Sequence, residues 1–316
     1  MLFNNKIDFA LIKFPIIFPL IYLFILYGFQ NAESYLIFFT IMLLAEPHFG
    51  ATWTIFFDKC NYPHFNQKKN IFIIGSLLVV LFCLVGFFTF KNLFLLIFYG
   101  YNIYHVTRQS TGICKLYNSD KKEINFQLNM IYIFNIIFFF VGLFRFYFPI
   151  INSEELIILI TVVLGLSMLG LCIYQFLKYR SFDKIFTTLT GMIIFYPICF
   201  VENPVHAILF GVTMHYSQYI VITAKVYFGR NKNIGFFSKK NFFKIFKSKF
   251  FFIILFYGIL MSVLSLSGKF NYAYLENLIL IPIIGQMLHF YLDGFMWRFS
   301  ESHNRDVTLK YLKEEI

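Results

Sequence analysis

The stretch Ile71–Phe90 reads IFIIGSLLVVLFCLVGFFTF, and none of its 20 positions carries a charge. A helix of this length is about 30 Å long, which matches the hydrocarbon thickness of a bilayer. The strands of an outer-membrane barrel would instead read as short segments of alternating polarity. The stretch therefore predicts a transmembrane α-helix.

The composition of the whole chain agrees with that prediction. Of its 316 residues, 59% are hydrophobic and only 14% are charged, and the mean hydropathy is +0.69. A soluble domain carries about 25% charged residues, so this chain has too few polar groups to cover a water-exposed surface. A large soluble enzyme and a disordered chain are thereby excluded. We predict an all-α, polytopic transmembrane helix bundle that forms a single domain over residues 1–316.

Similar apolar runs recur along the sequence and indicate about ten spans. Their boundaries are uncertain by about four residues. The segments cover residues 9–28, 34–57, 71–90, 92–116, 125–149, 155–177, 184–201, 204–227, 250–268 and 275–297.

The basic residues are concentrated in alternate connections, which gives an orientation. Only Lys91, Arg145 and Lys269 fall in the other set of connections. The positive-inside rule then places both termini, the basic loop 229–249 and the tail 299–316 in the cytoplasm. The loop 229–249 is either an amphipathic helix on the inner leaflet or an ordinary basic loop. The net charge of +11 is thus explained by the membrane, without a nucleic acid partner.

Two features of composition bear on the source and the redox environment. Lys far outnumbers Arg, and Asn, Ile and Phe are abundant, which is typical of an AT-rich bacterial genome; we therefore predict the bacterial cytoplasmic membrane. The five cysteines are scattered without paired spacing, which argues against a disulfide framework or a zinc motif.

Four of the seven histidines lie inside predicted spans. They are His48, His105, His215 and His289, in the contexts AEPHFGATW, YNIYHVTRQSTG, GVTMHYSQY and GQMLHFYLDGFMWR. Each lies 9 to 11 positions before a basic residue that marks the predicted cytoplasmic end of its helix, namely Lys59, Lys115, Lys225 and Arg298. At ~1.5 Å per residue, all four imidazoles lie about 14–16 Å from that boundary, near the midplane of a ~30 Å core.

Four imidazoles at one depth favour a shared site. An ionisable side chain in hydrocarbon is costly and normally faces the bundle interior with a partner. Neutral imidazole is the commonest metal ligand in proteins, and four imidazoles suit Fe, Zn or Cu. We predict that His48, His105, His215 and His289 bind one such metal. For any one of them alone, an interhelical hydrogen bond is the simpler explanation.

Polar side chains lie within one helical turn of these histidines. Asp293 follows His289 by four residues, and Glu46 lies next to Pro47, which can kink its helix. We predict that Asp293 or Glu46 orients a histidine ligand and that Arg108 neutralises one of these carboxylates. A structural pair of Arg108 and Asp293 without a metal is the alternative. The other predicted polar neighbours are Gln109, Gln218 and Tyr219.

Aromatic side chains near the histidines point to a lipophilic substrate. Tyr101, Tyr104 and Trp53 are predicted to line the substrate site. O2 and a polyene or acyl chain both partition into lipid, so a site at the midplane suits them. The leading hypothesis is an Fe(II)-dependent oxygenase that acts on such a substrate, without an organic cofactor.

Four short windows around these histidines resemble the Brp/Blh family of membrane β-carotene 15,15′-dioxygenases. The similar windows are PHFG at Pro47–Gly50, the regions of His105 and His215, and HFYLD at His289–Asp293. The resemblance implies a polytopic membrane enzyme that uses iron and O2 on a carotenoid. The chain departs from the family at Thr52, where the family usually has Asp, and at Tyr219, where it has a second His.

A transporter or channel is the alternative of a different class. The same histidines, with Arg108, Asp293 and Glu46, could form a path for protons or a substrate. Against it, the sequence contains no inverted repeat and no pair of interrupted helices in matching halves. A di-iron desaturase is less favoured, because the chain contains no clustered histidine boxes.

Overall fold

The structure is a computed structural model that describes residues 5–29, 31–118, 121–231, 248–267 and 277–313. Helices make up most of these ranges, and no strand occurs within them. The predicted all-α class is therefore confirmed. Residues 232–247 of the predicted basic loop 229–249 lie outside the described residues. Lys269 lies outside them as well.

Ten helices of the described ranges are labelled in chain order. They are α1 (Ile17–Gly28), α2 (Glu33–Phe56), α3 (Lys69–Thr89), α4 (Lys91–Tyr117), α5 (Lys121–Gly142), α6 (Glu154–Tyr179), α7 (Phe182–Ile193), α8 (Pro204–Arg230), α9 (Lys249–Ser267) and α10 (Leu280–Met296). Shorter helical segments are Asn5–Asp8, Phe9–Lys13, Lys59–Asn61, Tyr62–Gln67, Leu143–Tyr147, Tyr196–Cys199, Asn277–Ile279, Ser302–Asn304, Arg305–Leu309 and Lys310–Lys313.

Within the described ranges, seven helices are long and apolar enough to cross a membrane, which indicates an integral membrane protein. The number is eight if Lys6–Lys13 and Ile17–Gly28, bent by 59° at Pro15, form one span. The sequence segment 184–201 does not form one long helix. It forms the 12-residue helix α7 and the 3-10 helix Tyr196–Cys199, because Pro197 has no amide hydrogen and cannot continue an α-helix.

Burial separates enclosed helices from those that face the surroundings. In α8, 83% of the apolar window is buried, whereas the figure is 17% for α3 and 6% for α6. The exposed side chains of α3 and α6 are mostly Leu, Ile, Val and Phe. Surfaces this apolar suit lipid rather than water, and α8 belongs to the protein interior.

The chain divides into two compact units, although the sequence indicates no boundary. The first contains the described residues of Phe3–Ile37 and Phe98–Gln218. Here α7 packs against α5 and α6. The break after Lys13 leaves backbone carbonyls without helical partners. Gln218 donates to the carbonyl of Ile12, and Thr190 donates to that of Lys13, so the break is satisfied by side chains.

The second unit contains Phe38–Ile97 and the described residues of Tyr219–Ile316. In it, α9 packs along α2, and α10 packs against α3. The approach of α9 to α2 requires a glycine, because a Cβ on Gly258 would lie 2.6 Å from the carbonyl oxygen of Met42. This close packing fixes the part of α2 that follows Met42.

Candidate metal centre

The local sequence explains how α2 presents His48. Proline cannot donate to the carbonyl four residues earlier, and its ring crowds that carbonyl. The turn Ile41–Ala45 immediately before Pro47 is a wider π-helix, which accommodates the proline without breaking α2. From Glu46 to Phe56, all residues but Trp53 are buried, so His48 points into protein rather than lipid.

A second histidine meets His48 in the same unit. The rings of His48 and His289 lie 4.5 Å apart between centroids, with 71° between their planes. Both are buried, at 1% and 0% exposure. Tyr219 on α8 packs against both, at 4.5 Å from His48 and 5.3 Å from His289. Phe49 lies 5.1 Å from His289. The pair is thus enclosed by aromatic rings.

A chain of hydrogen bonds links His289 to a carboxylate. The Nδ1 atom of His289 lies 2.5 Å from the hydroxyl of Thr52, and that hydroxyl lies 2.7 Å from the hydroxyl of Tyr219. Tyr219 donates to Asp293 at 2.7 Å, and Thr52 donates to the same carboxylate oxygen at 3.4 Å. The indole of Trp297 donates to Tyr219 at 3.4 Å. All of these residues belong to the second unit.

The other two histidines form a pair in the first unit. The ring centroids of His105 and His215 lie 6.0 Å apart, and the planes are nearly perpendicular at 86°. They are 7% and 1% exposed. The Gln109 amide lies 2.9 Å from the Nε2 atom of His105. Gln218 does not join this pair through its amide nitrogen, which donates to the backbone of Ile12.

The structure places the remaining predicted residues in two environments. Glu46 is 5% exposed, and within the described chain no group donates a hydrogen bond to its Oε2 atom. Arg108 is exposed, with its guanidinium 5.8 Å from the centre of the Tyr104 ring. Tyr101 and Tyr104 are about half exposed. Trp53 is half-buried and stacks on Phe57 at 5.8 Å.

Thr52 was not predicted as a site residue, and the sequence analysis names it only as a departure from the family pattern. It follows His48 by four residues and so lies on the same face of α2, which was the signal that the chain itself offered. Its contact with His289, on a helix more than 200 residues later, is a tertiary contact that no local pattern indicates.

Comparison with protein-family models, with curated proteins and with solved structures finds no match for this chain.

Proposed function

We propose that the protein is a membrane-embedded, Fe(II)-dependent oxygenase that acts on a lipophilic substrate. The observation that carries the proposal is the buried pair of His48 and His289, with the Nδ1 atom of His289 tied through Thr52 to Asp293. The sequence adds His105 and His215 as the remaining ligands. The spans would number about ten, with both termini in the cytoplasm of a bacterium.

The donor set fits a metal. His48 and His289 are both buried, and the neutral form of an imidazole has a lone pair to offer to a metal. Metal-binding histidines usually donate their other ring nitrogen to a carboxylate, carbonyl or similar acceptor. The chain from His289 to Asp293 supplies such a partner. Imidazole ligands suit iron, zinc and copper alike, and iron is chosen for its chemistry with O2.

The surroundings of the histidine pair favour a hydrophobic reactant. Phe49 and Tyr219 pack on the imidazoles and exclude water from them. Bound iron would supply the activation of O2, while the protein positions the substrate and keeps the pocket dry. A carotenoid, another polyene or an acyl lipid has the required solubility in the bilayer. The residues predicted to contact this lipophilic substrate remain Trp53, Tyr101 and Tyr104.

A proton-coupled transporter or channel is the second candidate. Buried protonatable groups that are hydrogen-bonded to one another can conduct protons. The series from His289 through Thr52 and Tyr219 to Asp293 is one such set, and Tyr22 with His206 at 2.6 Å is another. This function requires the same residues but no metal.

Metal analysis of the purified protein separates the two candidates. We expect the wild type to bind iron stoichiometrically in detergent, and His48→Ala and His289→Ala to lose most of it. His206→Ala is the matched control, because His206 is equally buried but bonds to Tyr22 instead. Full retention of iron in alanine variants of all four predicted ligands would overturn the proposal. Metal-free wild type that catalyses proton-coupled transport would favour the second candidate.

A further inference from the structure

The hydroxyl of Thr52 lies at the centre of the hydrogen-bond chain beside His289. Three polar atoms surround it: Nδ1 of His289 at 2.5 Å, the Tyr219 oxygen at 2.7 Å and a carboxylate oxygen of Asp293 at 3.4 Å. A hydroxyl has one hydrogen to donate and two lone pairs with which to accept. The direction of each bond therefore follows from where that single hydrogen goes.

The carboxylate of Asp293 sets this direction. An ionised carboxylate only accepts hydrogen bonds, and a buried one is costly unless donors surround it. The hydroxyl of Tyr219 donates its hydrogen to the Asp293 carboxylate at 2.7 Å. The Tyr219 oxygen in turn accepts a hydrogen bond from Trp297. The hydrogen of Thr52 points the same way, to Asp293 or to the Tyr219 oxygen. Its lone pair is then left facing His289.

With that arrangement, Nδ1 of His289 must be the donor. The opposite arrangement, with Thr52 donating to Nδ1, would turn the Thr52 lone pairs toward the oxygens of Tyr219 and Asp293. Tyr219 could then satisfy Thr52 only by withdrawing its hydrogen from the carboxylate. The first arrangement satisfies every bond of the chain, and it also places the partly positive N–H group near the carboxylate of Asp293, whose oxygen lies 3.7 Å from Nδ1.

We propose that Thr52 is a positioning residue that keeps the hydrogen of His289 on Nδ1 and leaves Nε2 as the nitrogen that binds metal. The proposal rests on the proposed function for the identity of the ligand, but not for the position of the hydrogen. Thr52 would act entirely through His289 and would not itself touch metal or substrate.

Three variants isolate the hydroxyl. Thr52→Val removes it with little change in shape, and Thr52→Ser retains it. Thr54→Val is the matched control, since Thr54 is a buried threonine of the same helix that donates to the carbonyl of Ala51 and takes no part in the chain. Thermal unfolding of each protein in detergent establishes that it is folded.

The first measurement uses metal-free protein titrated with Co(II), with the dissociation constant and the visible spectrum as readouts. Loss of a partner that orients a histidine ligand typically weakens metal binding about 10–100-fold. We expect Thr52→Val to show such a loss and an altered Co(II) spectrum, while Thr52→Ser and Thr54→Val remain close to the wild type. Equal affinities and spectra for Thr52→Val and the wild type would overturn the proposal.

The second measurement needs no metal. Nitrogen-15 NMR of histidine-labelled protein distinguishes a protonated ring nitrogen from an unprotonated one, and His289→Gln assigns the signals. We expect His289 to be protonated on Nδ1 in the wild type and to shift toward Nε2 protonation in Thr52→Val. Protonation on Nε2 in the wild type refutes the proposal. If the wild type binds no Co(II) or Fe(II), the proposed function fails, and this NMR result alone decides the role of Thr52.

Discussion

Tyr219 contributes to the stability of the protein through the hydrogen bonds of its hydroxyl, at a site that water does not reach. Its hydroxyl donates to Asp293 at 2.7 Å, and the ring is 4% exposed. We expect Tyr219→Phe to leave the carboxylate with one donor fewer, at a cost of about 1–3 kcal/mol. Unfolding in detergent measures the change. Tyr27→Phe, at a ring that is 73% exposed, should have almost no effect. Equal stability of the two variants would contradict this account.

Some residues of the candidate centre could be predicted from the sequence and others could not. Asp293 lies one helical turn after His289, so a contact between the two follows from helix geometry alone. The approach of Thr52 to the same imidazole depends on how α2 packs, and the sequence offers no rule for that. Arg108 was predicted to neutralise a carboxylate, and within the first unit its guanidinium lies over Tyr104. That prediction remains untested.

At the scale of helices, the packing of α8 requires a glycine at one position. A Cβ on Gly211 would overlap the carbonyl of Ile194, and a backbone carbonyl cannot move aside as a side chain can. We expect Gly211→Ala to destabilise the protein by about 1–3 kcal/mol or more. Gly170→Ala in α6 is the control, because nothing lies within 4 Å of its Cβ position. There the substitution should be neutral or stabilising by about 0.5–1 kcal/mol. Thermal unfolding of both variants measures the difference, and an equally stable Gly211→Ala would argue against this contact.

The segment after α10 is attached to the connection between α2 and α3 by a pair of histidines. The rings of His64 and His303 stack with centroids 4.5 Å apart and planes within 4°. Glu301 accepts from Lys68 at 2.7 Å, and its carboxylate lies 3.3 Å from His64. Asn61 pairs with His303 at 3.0 Å. Two stacked imidazoles are compatible when neutral and repel each other when both are charged.

This attachment should weaken in acid. Burial lowers the pKa of His64, with Lys68 adding to the effect and Glu301 opposing it. Burial also lowers the pKa of His303. The charges of His64 and Arg230 lower it further, and those of Asp306 and Glu301 partly oppose the shift. Since both values lie below the ordinary 6.5, the unfolded chain binds more protons, and stability is lost as the pH falls below about 6.5. The hydrogen bond from Lys68 lowers the pKa of Glu301, so the contribution of that carboxylate persists until the pH falls below 4.5.

Hydrogen exchange in residues 302–313 measures the effect. We expect faster exchange at pH 5.5 than at pH 7.5, after correction for the intrinsic rate. His303→Phe keeps an aromatic ring in the stack but removes one titrating group, so it should reduce the difference between the two pH values. Protection that is unchanged in the wild type from pH 7.5 to 5.5 would refute the prediction.

The helices could be predicted from the sequence wherever an apolar run contains no residue that interrupts helical hydrogen bonding. The apolar run at Ile71–Phe90 forms α3 almost to the residue, because nothing in it competes with a helix. The run at 184–201 is also apolar, but Pro197 ends regular hydrogen bonding and the helix stops at Ile193. The π-helical turn Ile41–Ala45 shows the opposite outcome, in which a proline is accommodated. The local sequence indicates that a proline perturbs a helix. Tertiary packing determines whether the helix ends there or accommodates the proline in a π-helical turn.

At the scale of the whole molecule, the orientation in the membrane depends on the asymmetry of basic residues. The positive-inside rule concerns lysine and arginine near the ends of spans, and in the predicted ten-span topology almost all of them lie on one side. The connection between α2 and α3 belongs to that side, with Lys59, Lys68 and Lys69. The connection between α5 and α6, around Asn152, belongs to the other and contains no basic residue from 148 to 153. In the predicted topology these two connections lie on opposite sides of the membrane, so labelling both of them tests the orientation.

A thiol already present in the chain makes this orientation testable. Cys60 is exposed in the connection between α2 and α3, while Cys83, Cys114 and Cys199 are buried and Cys172 is partly covered. Burial and, after it, the hydrogen bond with Asp58 raise the pKa of the Cys60 thiol, so labelling is faster at alkaline pH, where more thiolate forms. In intact bacteria, we expect Cys60 to react with a membrane-impermeant maleimide only after permeabilisation. In a Cys60→Ser background, Asn152→Cys should react before permeabilisation, since Asn152 is exposed in the structure and lies on the predicted external side. The reverse pattern would invert the orientation. It would also place the attachment of His64 to His303 outside the cell, where acidification of the medium reaches it directly.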